Sequence, residues 1–215
     1  MFNKSPSLLL KCSQTGIVWL FNCFEGCQHT LIKRNIKLHQ INNIILTNLH
    51  LENMAGLMGL LSSLSLSSRI DKVNIYGPPG LTQYLQFARK YSQTTFKYNL
   101  LVRVVNYGYI SIGPSYLIQV HRLDNRTEEL VYNIIEKEKM GRFKSTKAQK
   151  FSIKSGPLYR NLKSHHSFIC PDGNILSGIY FTHPYAIGLK LSYTTNANGT
   201  KILVALSSKA GQVIF

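Results

Sequence analysis

Leu20 to Leu66 reads LFNCFEGCQHTLIKRNIKLHQINNIILTNLHLENMAGLMGLLSSLSL, and its alternation of apolar spacing decides the fold class. GIVWLFNC (Gly16–Cys23), which leads into it, and NNIILTNL (Asn42–Leu49) are short, rich in β-branched and aromatic residues, and end in polar residues, so they predict strands. Gly26–Ile36 and Asn53–Leu66 place apolar residues at three- and four-residue spacings, so they predict helices. Working outward, DKVNIYGP (Asp71–Pro78) is a further strand, and GLTQYLQFARKY opens a helix at Gly80 after the Pro78-Pro79 stop. Strands alternating with helices imply an α/β or α+β layered fold. Strand-rich sequence continues from Tyr98 to Arg122 and recurs from Ser167 to Val213. Between these halves Glu136–Leu162 is basic, weakly periodic and marked by Gly and Pro, the pattern of a surface insertion or arm. There is no internal repeat and no low-complexity tract.

A chain of 215 residues is long enough for one domain with a sizeable core, or one domain carrying a large insertion. Hydrophobic residues make up 44% and charged residues 16%, which excludes the charge-rich composition of disorder. Lys and Arg number 25 against 9 acidic residues, a formal net charge of +16 that favours salt-sensitive association with a polyanion such as RNA. An A+T-rich genome also raises Lys, Asn and Ile at neutral positions, so charge alone does not settle the partner. Cys12, Cys23, Cys27 and Cys170 form no C-x-x-C pair and sit among apolar residues, which suits free buried thiols in a reducing compartment. Zinc held by Cys23, Cys27 and His29 is the disfavoured alternative. The start, MFNKSPSLLLKCSQTG, has neither a long apolar core nor a cleavage site, and no stretch approaches the roughly 18 to 20 apolar residues of a membrane span. The expectation is a protein that works where it is made, away from the membrane.

The run Leu20–Leu66 resembles the opening of the tRNase Z (ribonuclease Z) family, in which a strand ends in Asp-Cys-Gly-Glu-Gly-Thr-Gln and the next runs into Thr-His-Leu-His-Gly-Asp-His. The likeness continues through IYGPPGLTQYL, LDNRTEELVYNIIEKEKMGRF, KAQKFSIKSGPLYRNLK and PDGNIL, and ends near LKLSYTTN. The resemblance implies a metallo-β-lactamase-type four-layer sandwich, two mixed sheets flanked by helices, as one domain over 1–215. It also implies an inserted tRNA-binding arm at 136–165 and a C-terminal truncation, because the family's final histidine-bearing segments have no counterpart.

The family holds two zinc ions on imidazoles and carboxylates at strand ends, where the metals activate a water and stabilise charge on the phosphate under attack. Counted onto this chain, Thr47-Asn48-Leu49-His50-Leu51-Glu52-Asn53 keeps His50 but has Asn48 and Asn53 where the family has His, and Glu52 at the Asp that serves as general base. Asn125 stands for a zinc-binding His and Asn196 for the Asp that bridges the metals. Amide oxygens are neutral and weak partners for zinc, so the resemblance implies a degenerate centre with no intact catalytic set and no cofactor, although zinc is the family's metal. The former ligands are then expected to close into a neutral amide network. His29, His39, His121 and His183 are expected to be structural, and the His165-His166 pair an exposed turn.

The arm departs less from the family. Its Gly-Pro pair followed by basic residues matches Gly156, Pro157 and Arg160, with Arg142, Lys144, Lys147, Lys150, Lys154 and Lys163 around it. Such a cluster, interleaved with Phe143, Phe151 and Tyr159, suits phosphate contacts and shape readout of an RNA helix; a solvated basic loop is the alternative. The functional expectation is a degenerate homologue that binds tRNA or pre-tRNA without cleaving it, as a homodimer or as a heterodimer with an active enzyme. The rival is an active zinc-dependent 3′-processing endoribonuclease with an altered or shared metal site. The Lys/Asn/Ile-rich language resembles tRNase Z-like reading frames of red-algal plastid genomes, implying the chloroplast stroma, with a bacterial cytoplasm as the alternative.

Overall fold

The computed structural model describes residues 7–11, 16–112, 115–123, 129–138, 140–164, 167–169, 173, 175–185, 188, 190–195 and 212–214. In chain order the strands are β1 (Leu8–Lys11), β2 (Val18–Phe21), β3 (Ile41–Ile45), β4 (Val73–Gly77), β5 (Leu100–Val104), β6 (Gly108–Ile112), β7 (Tyr116–Arg122), β8 (Leu130–Glu136), β9 (Ser167–Ile169), β10 (Ile175–Ser177), β11 (Lys190–Tyr193) and β12 (Gln212–Ile214). The helices are α1 (Cys27–Lys33), α2 (Leu51–Met54), α3 (Leu57–Leu66), α4 (Leu81–Ser92), α5 (Ser145–Lys150) and α6 (Pro157–Lys163). Among the described residues no helix is long and apolar enough to cross a membrane.

The described residues form two compact units. The first takes the described residues within 1–111, 118–134 and 190–215, the second those within 112–117 and 135–189. In the first unit one sheet runs β1-β2-β3-β4-β5, antiparallel between β1 and β2 and parallel from β2 to β5. A crossover carrying helix joins each parallel pair, as parallel pairing requires. β2, Val-Trp-Leu-Phe, is buried at all four positions, the continuous apolar run of a strand covered on both faces. β3 and β4 share one polar rung, Asn74 Nδ2 donating to Asn43 Oδ1 at 3.0 Å. The second sheet runs β12-β11-β8-β7-β6.

Leu57, Leu60, Leu61 and Leu64 of α3 recur on one face and pack with Val18, Leu20, Ile44, Ile75, Leu81 and Leu85 into the main core. The two sheets meet through aromatic rings: Phe21 of β2 lies edge-on to Tyr132 of β8 and Tyr193 of β11, with centroids at 5.9 and 5.3 Å. The Tyr132 hydroxyl, in a fully buried ring, donates to Leu46 O at 2.7 Å.

The single helix expected over Asn53–Leu66 is two. Gly56 sits between α2 and α3, where a Cβ would lie 2.0 Å from Phe24 O, so only glycine lets the β2–α1 turn touch the helix junction. The sequence pattern does not predict strand β8, because its apolar run adjoins the charged start of the arm.

The 136–165 stretch lies within the second unit and is more ordered than its weak periodicity suggests. α5 and α6 close over a small core of Ala148, Ile153, Leu162 and Phe181, backed by Phe143, Leu158, Tyr159 and Leu176. β9 and β10 pair as an antiparallel hairpin, and Lys144 N donates to Phe181 O at 2.7 Å.

Candidate functional site

The carboxyl ends of parallel strands are where layered α/β folds place their chemistry. At the end of β2, Asn22 adopts φ 55° and turns the chain. Its Oδ1 accepts the Thr47 backbone N–H at 2.9 Å and the Thr47 hydroxyl at 3.1 Å, and its Nδ2 donates to the Tyr193 hydroxyl at 3.0 Å. The Tyr193 hydroxyl is pushed well above its ordinary value by burial. Leu130 N donates to Thr47 O at 2.8 Å, the Thr47 and Thr195 hydroxyls lie 3.3 Å apart, and the Thr195 hydroxyl donates to Glu129 Oε1. Four strand ends, those of β2, β3, β8 and β11, are thus tied by one polar chain. Only its location is legible in the sequence: Asn22 holds the strand-ending position before Cys23, and Thr195 precedes Asn196. The parts played by Thr47 and Glu129 have no local signal.

From Thr47 the chain enters the loop that carries the candidate ligands. Asn48 is buried, and its Oδ1 accepts Asn53 Nδ2 at 2.6 Å and the His50 backbone N–H at 3.1 Å. Asn53, in α2, is also buried; its Oδ1 has no partner among the described residues. His50 stands exposed at the start of α2 in an extended conformation (φ −66°, ψ 143°), and its carbonyl accepts Asn53 N at 2.9 Å. Glu52 is exposed in the first turn of α2. The structure therefore brings Asn48, His50 and Asn53 together, while Asn125 and Asn196 lie outside the described residues.

A zinc ion fits this described half poorly. Asn48 Oδ1 already accepts two N–H groups, amide oxygen carries no charge, and among the described residues no three His, Cys, Asp or Glu side chains converge. His29, His39 and His183 are exposed; His121, on β7, has a buried Nε2 without a partner among the described residues, and burial lowers its pKa. His165 and His166 lie outside the described residues.

In the second unit Arg142, Lys150, Lys154, Gly156, Pro157, Arg160 and Lys163 are exposed, whereas Lys144 and Lys147 are half-buried. Lys147 Nζ lies 5.5 Å from the centroid of the Tyr180 ring. Of the interleaved aromatics, Phe143 and Tyr159 are partly buried beside Phe181, while Phe151 stays exposed. Phe143 lies 4.6 Å from Tyr159 and 6.4 Å from Phe181, and Phe151 lies edge-on to Phe181 at 5.6 Å. The apolar area of Phe143, Tyr159 and Phe181 is worth more in a small core than in water, which leaves the cations to face outward.

No family model matches the chain. It is 40% identical over 193 residues to "Uncharacterized protein ycf56" of Porphyra purpurea, covering 89% of this chain and 73% of that one. It is 38% identical over 208 residues to the ribonuclease Z of Acaryochloris marina, covering 97% of this chain and 66% of that one. Against other cyanobacterial ribonucleases Z it spans about 60% of their length. Human tRNase Z, short form, superposes with a TM-score of 0.54 at 26% identity, over 61% of this chain and 58% of that one. Zn(2+)-bound PqqB of Methylobacterium extorquens shares the fold, with a TM-score of 0.53 at 14% identity over 96% of this chain and 58% of that one. The architecture is thus the metallo-β-lactamase fold. These relatives agree with a plastid or bacterial origin.

They also correct one expectation. That the chain would have no cofactor does not stand, because its relatives are ribonucleases Z and metallo-β-lactamase-fold proteins, which use zinc. Counting replaced side chains one by one ignores that a metal centre is assembled from several strands, and two of the positions counted lie outside the described residues.

Proposed function

The chain belongs to the ribonuclease Z family, and from that premise we propose that it binds tRNA or pre-tRNA through its second unit without cleaving it unaided. The observation that carries the reading is the Asn48–Asn53 pair. Where the family resemblance puts two imidazoles, two buried amides hydrogen-bond each other at 2.6 Å. An amide carries no basic lone pair to give to a metal and cannot serve as general base near neutral pH. Binding rests on Lys150, Lys154, Arg160 and Lys163, exposed on α5, α6 and the turn between them, where phosphate contacts position an RNA helix by shape. In this reading the chain acts with a partner, either a second copy or an active family member to which it presents the RNA. The plastid stroma is the compartment that the Porphyra relative favours, with a bacterial cytoplasm as the alternative.

The second reading is an active endoribonuclease whose zinc centre is altered or shared with another chain. The buried Oδ1 of Asn53, without a partner among the described residues, favours it, being an acceptor oxygen on the same short helix as Glu52, which follows His50. One experiment separates the two: 3′-extended pre-tRNA incubated with the purified chain and added zinc. Retention of the RNA on a filter with no cleavage supports the first reading. Chelator-sensitive cleavage that is lost in His50→Ala overturns it in favour of the second.

A further inference from the structure

Beneath the His50 loop lies a pair of thiols that the proposed function does not use. Cys23 follows β2 and Cys27 opens α1; both are buried, both are free, and their sulfurs lie 2.9 Å apart. The Cys23 backbone is fastened to the ligand-bearing segment on both sides: its N–H donates to Asn53 O at 2.6 Å, and its carbonyl accepts Gly56 N at 2.9 Å. At Gly56 the backbone comes so close to Phe24 O that a Cβ would lie 2.0 Å from it, so the turn and the α2–α3 junction pack backbone to backbone. Whatever holds Cys23 therefore holds Asn53 and Gly56.

The two thiols are not equivalent. The hydrogen bond with Cys27, and then burial, raises the Cys23 thiol, while the same bond lowers Cys27. Cys27, at the uncapped start of α1, is the sulfur a reagent meets first, which makes it the attacking sulfur and Cys23 the resolving one. The N-terminal end of α1 is its weak end. Gly26 before it sits at φ 71°, no side chain caps the helix, no acidic residue lies in its first turn, and Cys27 N has only Phe24 O at 3.1 Å. Fraying of that turn is the route by which a reagent reaches Cys27.

We propose that Cys23 and Cys27 form a reversible disulfide that locks the β2–α1 turn against the segment His50–Gly56, making this loop responsive to the thiol redox state around it. The exchange balances with a small disulfide such as oxidised glutathione. Cys27 thiolate attacks one glutathione sulfur and releases glutathione thiolate. Cys23 loses its proton and attacks Cys27 Sγ of the mixed disulfide, forming the Sγ–Sγ bond and releasing the second glutathione. Two protein thiols are oxidised and one glutathione disulfide is reduced to two thiols. The sulfurs close from 2.9 Å to about 2.05 Å, so the link tightens an existing contact and does not demand a new one.

The test uses the full chain carrying Cys12→Ser and Cys170→Ser, so that only this pair remains. After equilibration with reduced and oxidised glutathione mixtures, alkylation and peptide mass mapping read the bond, and amide hydrogen exchange reads the loop. Expected are loss of both alkylation sites as glutathione becomes oxidising, a 23–27 cross-linked peptide, and exchange at Asn53 and Gly56 slowed at least tenfold in the oxidised form. Full reversal by dithiothreitol is part of the expectation. Thiols that stay alkylatable in excess oxidised glutathione, or that stop at a glutathione adduct on Cys27, overturn the proposal. So does a disulfide that leaves exchange at Asn53 and Gly56 unchanged. Cys27→Ser, which keeps a small polar side chain at the helix start, serves as the control that cannot cross-link.

Discussion

The His50 loop and the arm handle polarity in opposite ways. In and beside the loop the amides are buried and hydrogen-bonded, Asn48 with Asn53 and Asn22 with Thr47 and Tyr193, while His50 and Glu52 stand exposed. In the arm the polar groups are cationic and mostly exposed, on or beside two short helices, over a small core that includes Phe181 and the partly buried Phe143 and Tyr159. A buried amide contributes by satisfying another buried group, so its value lies in folding. An exposed lysine contributes almost nothing to folding and a great deal to a polyanion's arrival and hold. On the proposed reading, that contrast puts the partner-facing groups in the second unit.

The largest effect expected from that contrast is on RNA binding. Neutralising Lys150, Lys154, Arg160 and Lys163 together to Gln should flatten the slope of log affinity against log salt by about 3 to 4 units, at roughly 0.9 for each phosphate no longer neutralised. Thermal stability should move little. Binding of tRNA at several salt concentrations is the measurement, and an unchanged slope would mean that the arm is not the RNA site.

Next comes the arm's core. Phe181 is buried at 1% exposure against Ala148, Ile153 and Leu162 and within ring contact of Phe143 and Phe151. Phe181→Ala should cost about 3 to 5 kcal/mol of the second unit's stability. Hydrogen exchange should show weakened protection across α5 and α6 while β2, β3 and β4 keep theirs. Weakening in both regions at once would make the two units one cooperative fold.

The amide pair gives a smaller, directional prediction. Asn48→Ala strips the partner from a buried Asn53 amide and should cost about 2 to 3 kcal/mol. Asn53→Ala also removes an oxygen that has no partner among the described residues, and leaves Asn48 Oδ1 the His50 N–H, so it should cost about 1 kcal/mol or less. Urea denaturation of the two variants is enough; the reverse order would show that Asn53 Oδ1 is satisfied in solution.

Much of the fold is legible in the sequence because strand and helix periods are local. VWLF, INNII and VNIYG lie within or overlap the strands expected of them, and GLTQYLQFARKY becomes α4 one residue after its glycine. The break at Gly56 is not legible, since its cause is a carbonyl from Phe24, distant in sequence and 2.0 Å from where a Cβ would stand. The arm's order escapes a sequence reading for a related reason: its core is assembled from α5, α6 and the turn at Gly178–Phe181, so no one segment carries the period. At the site, residue types show which ligands differ from the family's, but the bond between Asn48 and Asn53 needs a helix turn to bring the two together. The expectation of no cofactor failed where side chains were counted singly, and the relatives corrected it.

The smallest effect concerns acid sensitivity and separates a structural histidine from a site one. His121 lies on β7, its Nε2 buried and without a partner among the described residues, and burial lowers its pKa below the usual 6.5. Protonation would put a charge where no acceptor waits, so the unfolded chain takes up the proton first. In the window between the folded value and 6.5 the unfolded state holds more protons, and stability therefore rises with pH there. The contribution is fully present above pH 6.5 and is lost as pH falls through the folded value. His121→Gln, which cannot titrate, should flatten the melting temperature over this window, whereas His50→Gln, an exposed substitution, should leave the slope as it is. If His50→Gln is the variant that flattens it, the loop histidine is coupled to folding, and the division between buried loop amides and a charged arm would have to be redrawn.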